Sequence, residues 1–371
     1  MSTHLKQLCH THLPGNKEDS PAEHFAKMAK WCEENKVNHD IYGEGETIHA
    51  FEQKVADLLG YEAGLFVVTG TMTQPTVLEI VTRQKRNPIV AMHASSHIPE
   101  HEKQGYQLQH RFSVLPVGNV YQTWKLEDLT AWPDEIAAVL YELPMREIGG
   151  QLPSWQELEE IKAYCAEKDI HLHMDGARLW ETAAYYQKEY REIAAGFDTT
   201  YVSLYKGING MGGSMLLGSK AFIELASMWM KRQGGNLYHR TPYVVSAAMQ
   251  FDERLAQLPD LFERTKQIYK IIDEFPSLAV RPTQPQANML HLILPFSFEK
   301  LKELQHTFAT EKGIWFGNPQ VTAHPHQSIV EWYVGDYLLS LGDEELRLFF
   351  NQLLGGKTST YQYASLLTRH T

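Results

Sequence analysis

The sequence predicts an α/β fold: a large domain with a mostly parallel central sheet, followed by a small C-terminal α+β domain. Three observations carry this. From about residue 45 to residue 218, short apolar runs alternate with helical patterns, which argues for parallel strands covered by helices on both faces. After about residue 258 the pattern changes to a long helix followed by strands interleaved with helices. The chain also has 371 residues, more than the ~250–300 at which one core stops growing. The expected division is an N-terminal segment, 1–40, belonging to the small domain or to an interface; a large domain, 41–258; and a small domain, 259–371.

The elements follow in order. Ile48, Phe51, Val55, Leu58 and Leu59 share one helical face, and Gly60 stops that helix. Gly64–Val68 reads as a strand closed by Thr69-Gly70-Thr71, with a helix running on to about Gln84 and Pro75 in its first turn. Further strands are expected at Pro88–Met92, Ser113–Val117, Ile136–Tyr141, Ile170–Met174, Thr200–Leu204 and Ser214–Leu217. Helices Trp155–Glu167 and Leu179–Gln187 link some of them. Beyond residue 258 the expected order is helix Leu261–Phe275, strand Asn288–Leu294, helix Phe298–Thr310, strands Gly313–Phe316 and Ser328–Val334, and helix Asp343–Leu354.

Composition narrows the class. The net charge is −11 and no long basic run occurs, which argues against nucleic-acid binding. No stretch approaches the ~18 apolar residues needed to span a bilayer, and the N-terminus lacks a signal-peptide core. Cys9, Cys32 and Cys165 form neither a CxxC pair nor a zinc spacing. These features lead us to expect a soluble cytoplasmic protein.

Ligands of such sheets bind beyond the carboxyl ends of the strands, and three features fall there. Thr69-Gly70-Thr71 opens a helix, where backbone N–H groups and the helix dipole suit an anion; alone it also reads as an ordinary strand–helix turn. In His171-Leu172-His173-Met174-Asp175-Gly176-Ala177-Arg178, strand alternation puts His171, His173 and Asp175 on one face. That row suits a metal, an Asp holding a ligand nitrogen with His173 behind it, or an Asp175–Arg178 ion pair. Lys206 follows the apolar strand expected at Thr200–Leu204 and enters a glycine-rich loop. Most lysines are solvated, but one desolvated at the mouth of a sheet presents a neutral amine for imine formation. Together, an anion cradle, an acid and an amine are what pyridoxal phosphate needs. Lys206 lies 31 residues after Asp175, room for a crossover helix and the next strand, so both are expected at one sheet edge.

At these residues the sequence resembles the threonine aldolases of the beta-eliminating lyase group, which are fold-type I pyridoxal-phosphate enzymes. The resemblance runs from Ile41 to about Ala248. It is carried by Tyr42-Gly43-Glu44-Gly45, the strand and Gly-Thr turn of Phe66–Met72, Ser96-His97, His173–Arg178, Lys206-Gly207 and, past Gly234-Gly235, Arg240. It implies that Lys206 holds the cofactor as a Schiff base and Asp175 pairs with its ring nitrogen. His97 stacks on the ring, Gly70, Thr71 and Ser203 help to bind the cofactor, and Arg178 binds the substrate α-carboxylate. Tyr42 and Arg240 resemble residues that cross between subunits, implying a homo-oligomer, a dimer or a tetramer.

Three departures accompany the resemblance. The family's Glu-Asn-Thr-His-Asn is Glu142-Leu143-Pro144-Met145-Arg146 here, so Met145 stands for the histidine associated with the substrate hydroxyl. Its Ser-Asp-Thr becomes Cys9-His10-Thr11, and a late carboxylate-binding arginine falls at Glu331. The expected activity is cleavage of the Cα–Cβ bond of a β-substituted, β-hydroxy amino acid to glycine and an aldehyde. Another reaction of the same cofactor (β-elimination, transamination or racemisation) stays open, as does a cofactor-binding protein without catalysis. A metallohydrolase using His171, His173 and Asp175 leaves Lys206 and the Gly-Thr turn unexplained.

Overall fold

The computed structural model describes residues 2–355. They form two compact units, one of residues 18–259 and the other combining the first 17 residues with the chain from Asp260 onward. The division falls inside the helix Phe251–Asp273.

The larger unit is built on seven strands: β1 (Ala63–Val67), β2 (Ile89–His93), β3 (Ser113–Val117), β4 (Ala138–Glu142), β5 (His171–Gly176), β6 (Thr199–Ser203) and β7 (Ser214–Gly218). Their spatial order is β1-β7-β6-β5-β4-β2-β3. β3, β2, β4, β5 and β6 pair in parallel, whereas β7 runs antiparallel to both β6 and β1. β4, β6 and β7 are buried at every position, as expected of strands covered on both faces. Each expected strand forms within about two residues of its predicted limits.

The helices hold three corrections. The helix after β1 starts at Gly70, with Thr69 as its N-cap, and runs to Lys85. Pro75 therefore lies beyond the first turn, and its missing N–H leaves the Thr71 carbonyl without its usual donor. The expected crossover helix Leu179–Gln187 is a 3₁₀ turn, Leu179–Thr182, followed by a short helix, Ala183–Tyr186. The expected helix from Leu261 is the later part of Phe251–Asp273, with Pro259 inside it. Pro21–Glu34, Lys220–Arg232 and Thr241–Ala248 are helices that the sequence reading did not assign. Among the described residues no helix is long and apolar enough to cross a membrane.

The smaller unit carries an antiparallel sheet in which Met289–Leu294 pairs with Ser328–Tyr333 and with Ala279–Arg281, and Pro319–Val321 edges the far side. Trp332, Val330, Leu290, Leu292 and Phe350 belong to its core.

One buried carboxylate ties distant segments of the larger unit together. Asp40 has no exposed surface. It accepts hydrogen bonds from the N–H groups of Arg240 (2.7 Å), Thr241 (2.8 Å) and Gly43 (2.8 Å) and from the Thr241 hydroxyl (2.6 Å). The loop carrying Tyr42, whose φ is +56°, is thereby fixed against the start of helix Thr241–Ala248. Asp40→Ala strands four buried donors, and we expect it to cost about 3 kcal/mol of stability, read as a lower urea midpoint at unchanged slope. A loss under about 1 kcal/mol contradicts this role.

Candidate active site

The site begins with the register of three neighbouring strands. Glu142 on β4 pairs with Asp175 on β5, and Asp175 pairs with Tyr201 on β6. All three side chains line a cavity beyond the carboxyl ends of these strands, where Lys206, Arg178, His97 and the Gly70-Thr71 turn also converge. Six residues predicted for the site therefore meet in one place: Gly70, Thr71, His97, Asp175, Arg178 and Lys206.

Asp175 is 2% exposed and held on both oxygens. Gln74 Nε2 donates to Oδ2 at 3.0 Å, and the Ala177 N–H donates to Oδ1 at 3.1 Å. His173 does not support it. Its Nδ1 lies 2.8 Å from Thr199 Oγ1, and His171 Nε2 lies 2.8 Å from the same hydroxyl. The residue orienting Asp175 is thus Gln74, one turn into the helix that starts at Gly70, and sequence reading missed it. Burial lowers the proton affinity of both imidazoles, to a pKa of about 4 for His171 and about 3 for His173, so they are neutral.

Lys206 is shifted in the direction imine chemistry needs. Burial, then the Arg178 guanidinium, lowers its pKa to about 8, against the opposing charges of Asp175 and Glu142. Glu142, almost fully buried, is pushed up to about 8 by burial and then by Asp175, while its Oε1 accepts the Arg146 N–H at 2.9 Å. Glu102, which hydrogen-bonds Thr71, is raised to about 8 by the same two causes. His97 opens a short helix after Ser96, and burial lowers its pKa.

The turn after β1 suits an anion. Thr69 Oγ1 accepts the Met72 N–H at 3.2 Å, and helical geometry leaves the first-turn N–H groups of Gly70 and Thr71 without intrahelical acceptors. Gly70 is required by packing, because a Cβ there would overlap the hydroxyl and ring of Tyr201.

The other predicted residues are not among those lining the cavity. Ser203 ends β6 fully buried, and its hydroxyl has no hydrogen-bond partner among the described residues. Arg240 is 6% exposed and donates to the Phe66 carbonyl and to Asn236 Oδ1, while Tyr42 stands exposed against Tyr238. Neither lines the cavity. Glu331, in the smaller unit, pairs across strands with His291, its Oε2 3.8 Å from Nε2. It faces away from the core side of its strand, which Val330 and Trp332 occupy. Met145 is buried, and its neighbour Arg146 enters the cavity instead.

The family model for beta-eliminating lyases matches residues 18–294. The chain belongs to the beta-eliminating lyase family. A Listeria monocytogenes structure described as a candidate L-allo-threonine aldolase is 34% identical, with a TM-score of 0.88 over 95% of this chain and 98% of that one. An Exiguobacterium structure described as a candidate aromatic amino acid beta-eliminating lyase/threonine aldolase is 33% identical, with a TM-score of 0.86 over 94% and 98%. The low specificity L-threonine aldolase of Saccharomyces cerevisiae is 31% identical over 57% of this chain and 56% of its own length. The chain thus spans little more than half of that curated relative.

The family's fold is fold-type I, and the site fits its cofactor, pyridoxal phosphate. Asp175 offers a carboxylate to a ring nitrogen, Lys206 an amine to a carbonyl, and the Gly70 helix start its N–H groups to a phosphate. The Arg178 Nε and Gln74 Oε1, on two residues that line the cavity, are buried polar atoms without hydrogen-bond partners among the described residues, as a site shaped around a polar group requires. When bound, the cofactor supplies an electron sink for bonds broken at the amino-acid α-carbon. Cofactor capture by the apo protein, followed by its visible absorbance, should accelerate with pH to a midpoint near 8. A midpoint above about 9.5, close to an ordinary lysine, contradicts the desolvation of Lys206.

Proposed function

We propose that this protein is a pyridoxal-phosphate lyase that cleaves the Cα–Cβ bond of a β-hydroxy amino acid, giving glycine and an aldehyde as a threonine aldolase does. The observation that carries this is the convergence of Lys206, Asp175 and Arg178 with the Gly70-Thr71 turn in one cavity. Its support is family membership and likeness to structures named for threonine aldolases. Lys206 would provide the amine that holds the cofactor. Asp175, fixed by Gln74, would pair with the cofactor's ring nitrogen. Arg178 holds the α-carboxylate and so sets which bond at the α-carbon stands ready to break. His97 would lie against the cofactor ring, and because burial lowers its proton affinity it would be suited to accept a proton from the substrate hydroxyl.

The active form in this reading is a homo-oligomer, a dimer or tetramer in the cytoplasm, to which Tyr42 and Arg240 contribute across the subunit boundary. Exposed Ile41, Tyr42 and Tyr238 support an apolar contact there. Free Cys9, Cys32 and Cys165 suit a reducing compartment.

The test is a panel of amino acids scored for aldehyde, ammonia and keto-acid products. Aldehyde with glycine is the expected outcome, and ammonia with keto acid would instead assign β-elimination. Lys206→Ala should lose roughly a thousandfold in rate, about 4 kcal/mol, with the fold intact by circular dichroism. Asp175→Asn should lose tenfold or more, and a loss within about threefold, roughly 0.7 kcal/mol, leaves Asp175 a structural role only. Light scattering at micromolar concentration should give at least a dimer; a fully active monomer contradicts the shared site.

A further inference from the structure

A carboxyl group stands behind the turn that suits the cofactor's phosphate, where a negative charge works against an anion. Glu102 caps the short helix His97–His101, its N–H donating to the Ile98 carbonyl at 3.3 Å and its carbonyl accepting from the Gly105 N–H at 3.1 Å. The backbone is thus fixed on both sides, and the side chain hydrogen-bonds the Thr71 hydroxyl. Thr71 lines the cavity, and Glu102 is not among the lining residues. Glu102 Oε1 is buried and has no hydrogen-bond partner among the described residues, an arrangement that is costly for an ionised carboxylate.

The surroundings favour the neutral acid. Burial and then the Asp175 charge raise Glu102 to about 8. The Tyr201 phenol that faces it is buried and held protonated, so it brings no charge. Arg111 is the cation that opposes the shift, but its side chain is engaged elsewhere. Its Nε donates to Gln109 Oε1 at 2.8 Å and lies 3.7 Å from Glu79 Oε2, and its Nη2 donates to Gln233 Oε1 at 3.4 Å. On Glu102's own segment, His101 Nε2 lies 2.7 Å from Glu147 Oε1. The protonation state of Glu102 decides what Thr71 can do, because a hydroxyl has one proton to give. A carboxylate takes that proton and leaves Thr71 with only lone pairs for an anion. A carboxylic acid donates to Thr71 Oγ1 instead, and the hydroxyl proton is free for a phosphate oxygen.

We propose that Glu102 is a positioning residue that keeps a proton while the cofactor's phosphate is bound, and that this proton turns the Thr71 hydroxyl toward the phosphate as a donor. The role concerns retention of the cofactor; it rests on the pyridoxal-phosphate reading of the site and not on the reaction. The phosphate's own charge tightens the hold on the proton, since a nearby anion disfavours a second one. Ionisation of Glu102 with rising pH reverses the hydroxyl and sets like charges side by side. The phosphate contact is therefore present below about 8 and lost as pH climbs beyond it.

The probes are pyridoxal phosphate and pyridoxal, which differ by the phosphate alone. Each is titrated into the apo protein near neutral pH and again about 1.5 pH units above the Glu102 midpoint of about 8, and dissociation constants are read from visible absorbance. Their ratio isolates the phosphate contact, because the titration of Lys206 acts on both probes alike. We expect the preference for the phosphorylated probe to fall roughly tenfold or more at the higher pH, the size of one hydrogen bond to a charged group. Glu102→Gln, whose amide donates at every pH, should keep the neutral-pH preference at both. Thr71→Val should show the reduced preference at both. Phosphorus NMR of the cofactor-loaded protein gives a second reading: the phosphate resonance should move further with pH in the parent than in Glu102→Gln. Circular dichroism checks that each variant is folded. A parent preference that does not change with pH overturns the proposal. So does a Glu102→Gln variant that falls as the parent does, or one that has lost the preference already at neutral pH. No visible absorbance with either probe overturns it together with the cofactor reading, which the other outcomes leave standing.

Discussion

Asp175, buried at the carboxyl end of a central strand, is the charge around which the rest of the site is set. Its field supports the protonated forms of five neighbours: Lys206, His97, Glu142, Glu102 and Tyr201. For the carboxyl and phenol groups it adds to burial, so Glu142 and Glu102 keep protons near neutral pH. For Lys206 and His97 it opposes burial, which is the larger effect. Lys206 is left near 8 instead of falling further, so that a useful fraction of its amine is neutral and the rest titrates within the working range. A charge buried this deeply is costly unless hydrogen-bonded, and the Gln74 amide and the Ala177 N–H meet that requirement.

The backbone makes this arrangement possible at a specific row of the sheet. Parallel strands bring Glu142, Asp175 and Tyr201 into register, and the chain leaves the sheet just beyond each of them. Tyr201 in turn leaves no room for a side chain at residue 70, which keeps the start of the Gly70 helix open to an anion. The same helix delivers Gln74 to Asp175. The Gly70 turn, the acid and its orienting amide are therefore mechanically linked, and a change at any of them is felt by the others.

Much of this was legible in the chain. The strands announced themselves as apolar runs, and placing Gly70, Asp175 and Lys206 just after three of them was enough to bring them together. What sequence could not show was which side chain answers Asp175. Strand alternation pointed to His173, but the neighbouring strand's Thr199 takes that imidazole, and the true partner arrives from a helix about a hundred residues earlier. Glu142 and Arg146 stood in a stretch that departs from a family pattern, Glu142 keeping the family's glutamate and Arg146 replacing its last asparagine. Their entry into the cavity depends on the tight turn that buries Met145, and no periodicity reports that. The helices Lys220–Arg232 and Thr241–Ala248 went unassigned because no chemistry-bearing motif drew attention to their apolar faces. The expected helix at Leu179–Gln187 broke into a 3₁₀ turn and a short helix, a distinction too fine for helical spacing.

The central claim is that Lys206 is the amine that carries the cofactor. Reductive trapping tests it directly: the protein is loaded with pyridoxal phosphate, treated with borohydride, digested and mapped by mass spectrometry. The account expects the reduced cofactor on the peptide containing Lys206, in near one-to-one yield and with none when residue 206 is alanine. Attachment to a different lysine, or undiminished labelling in the Lys206→Ala protein, would contradict it.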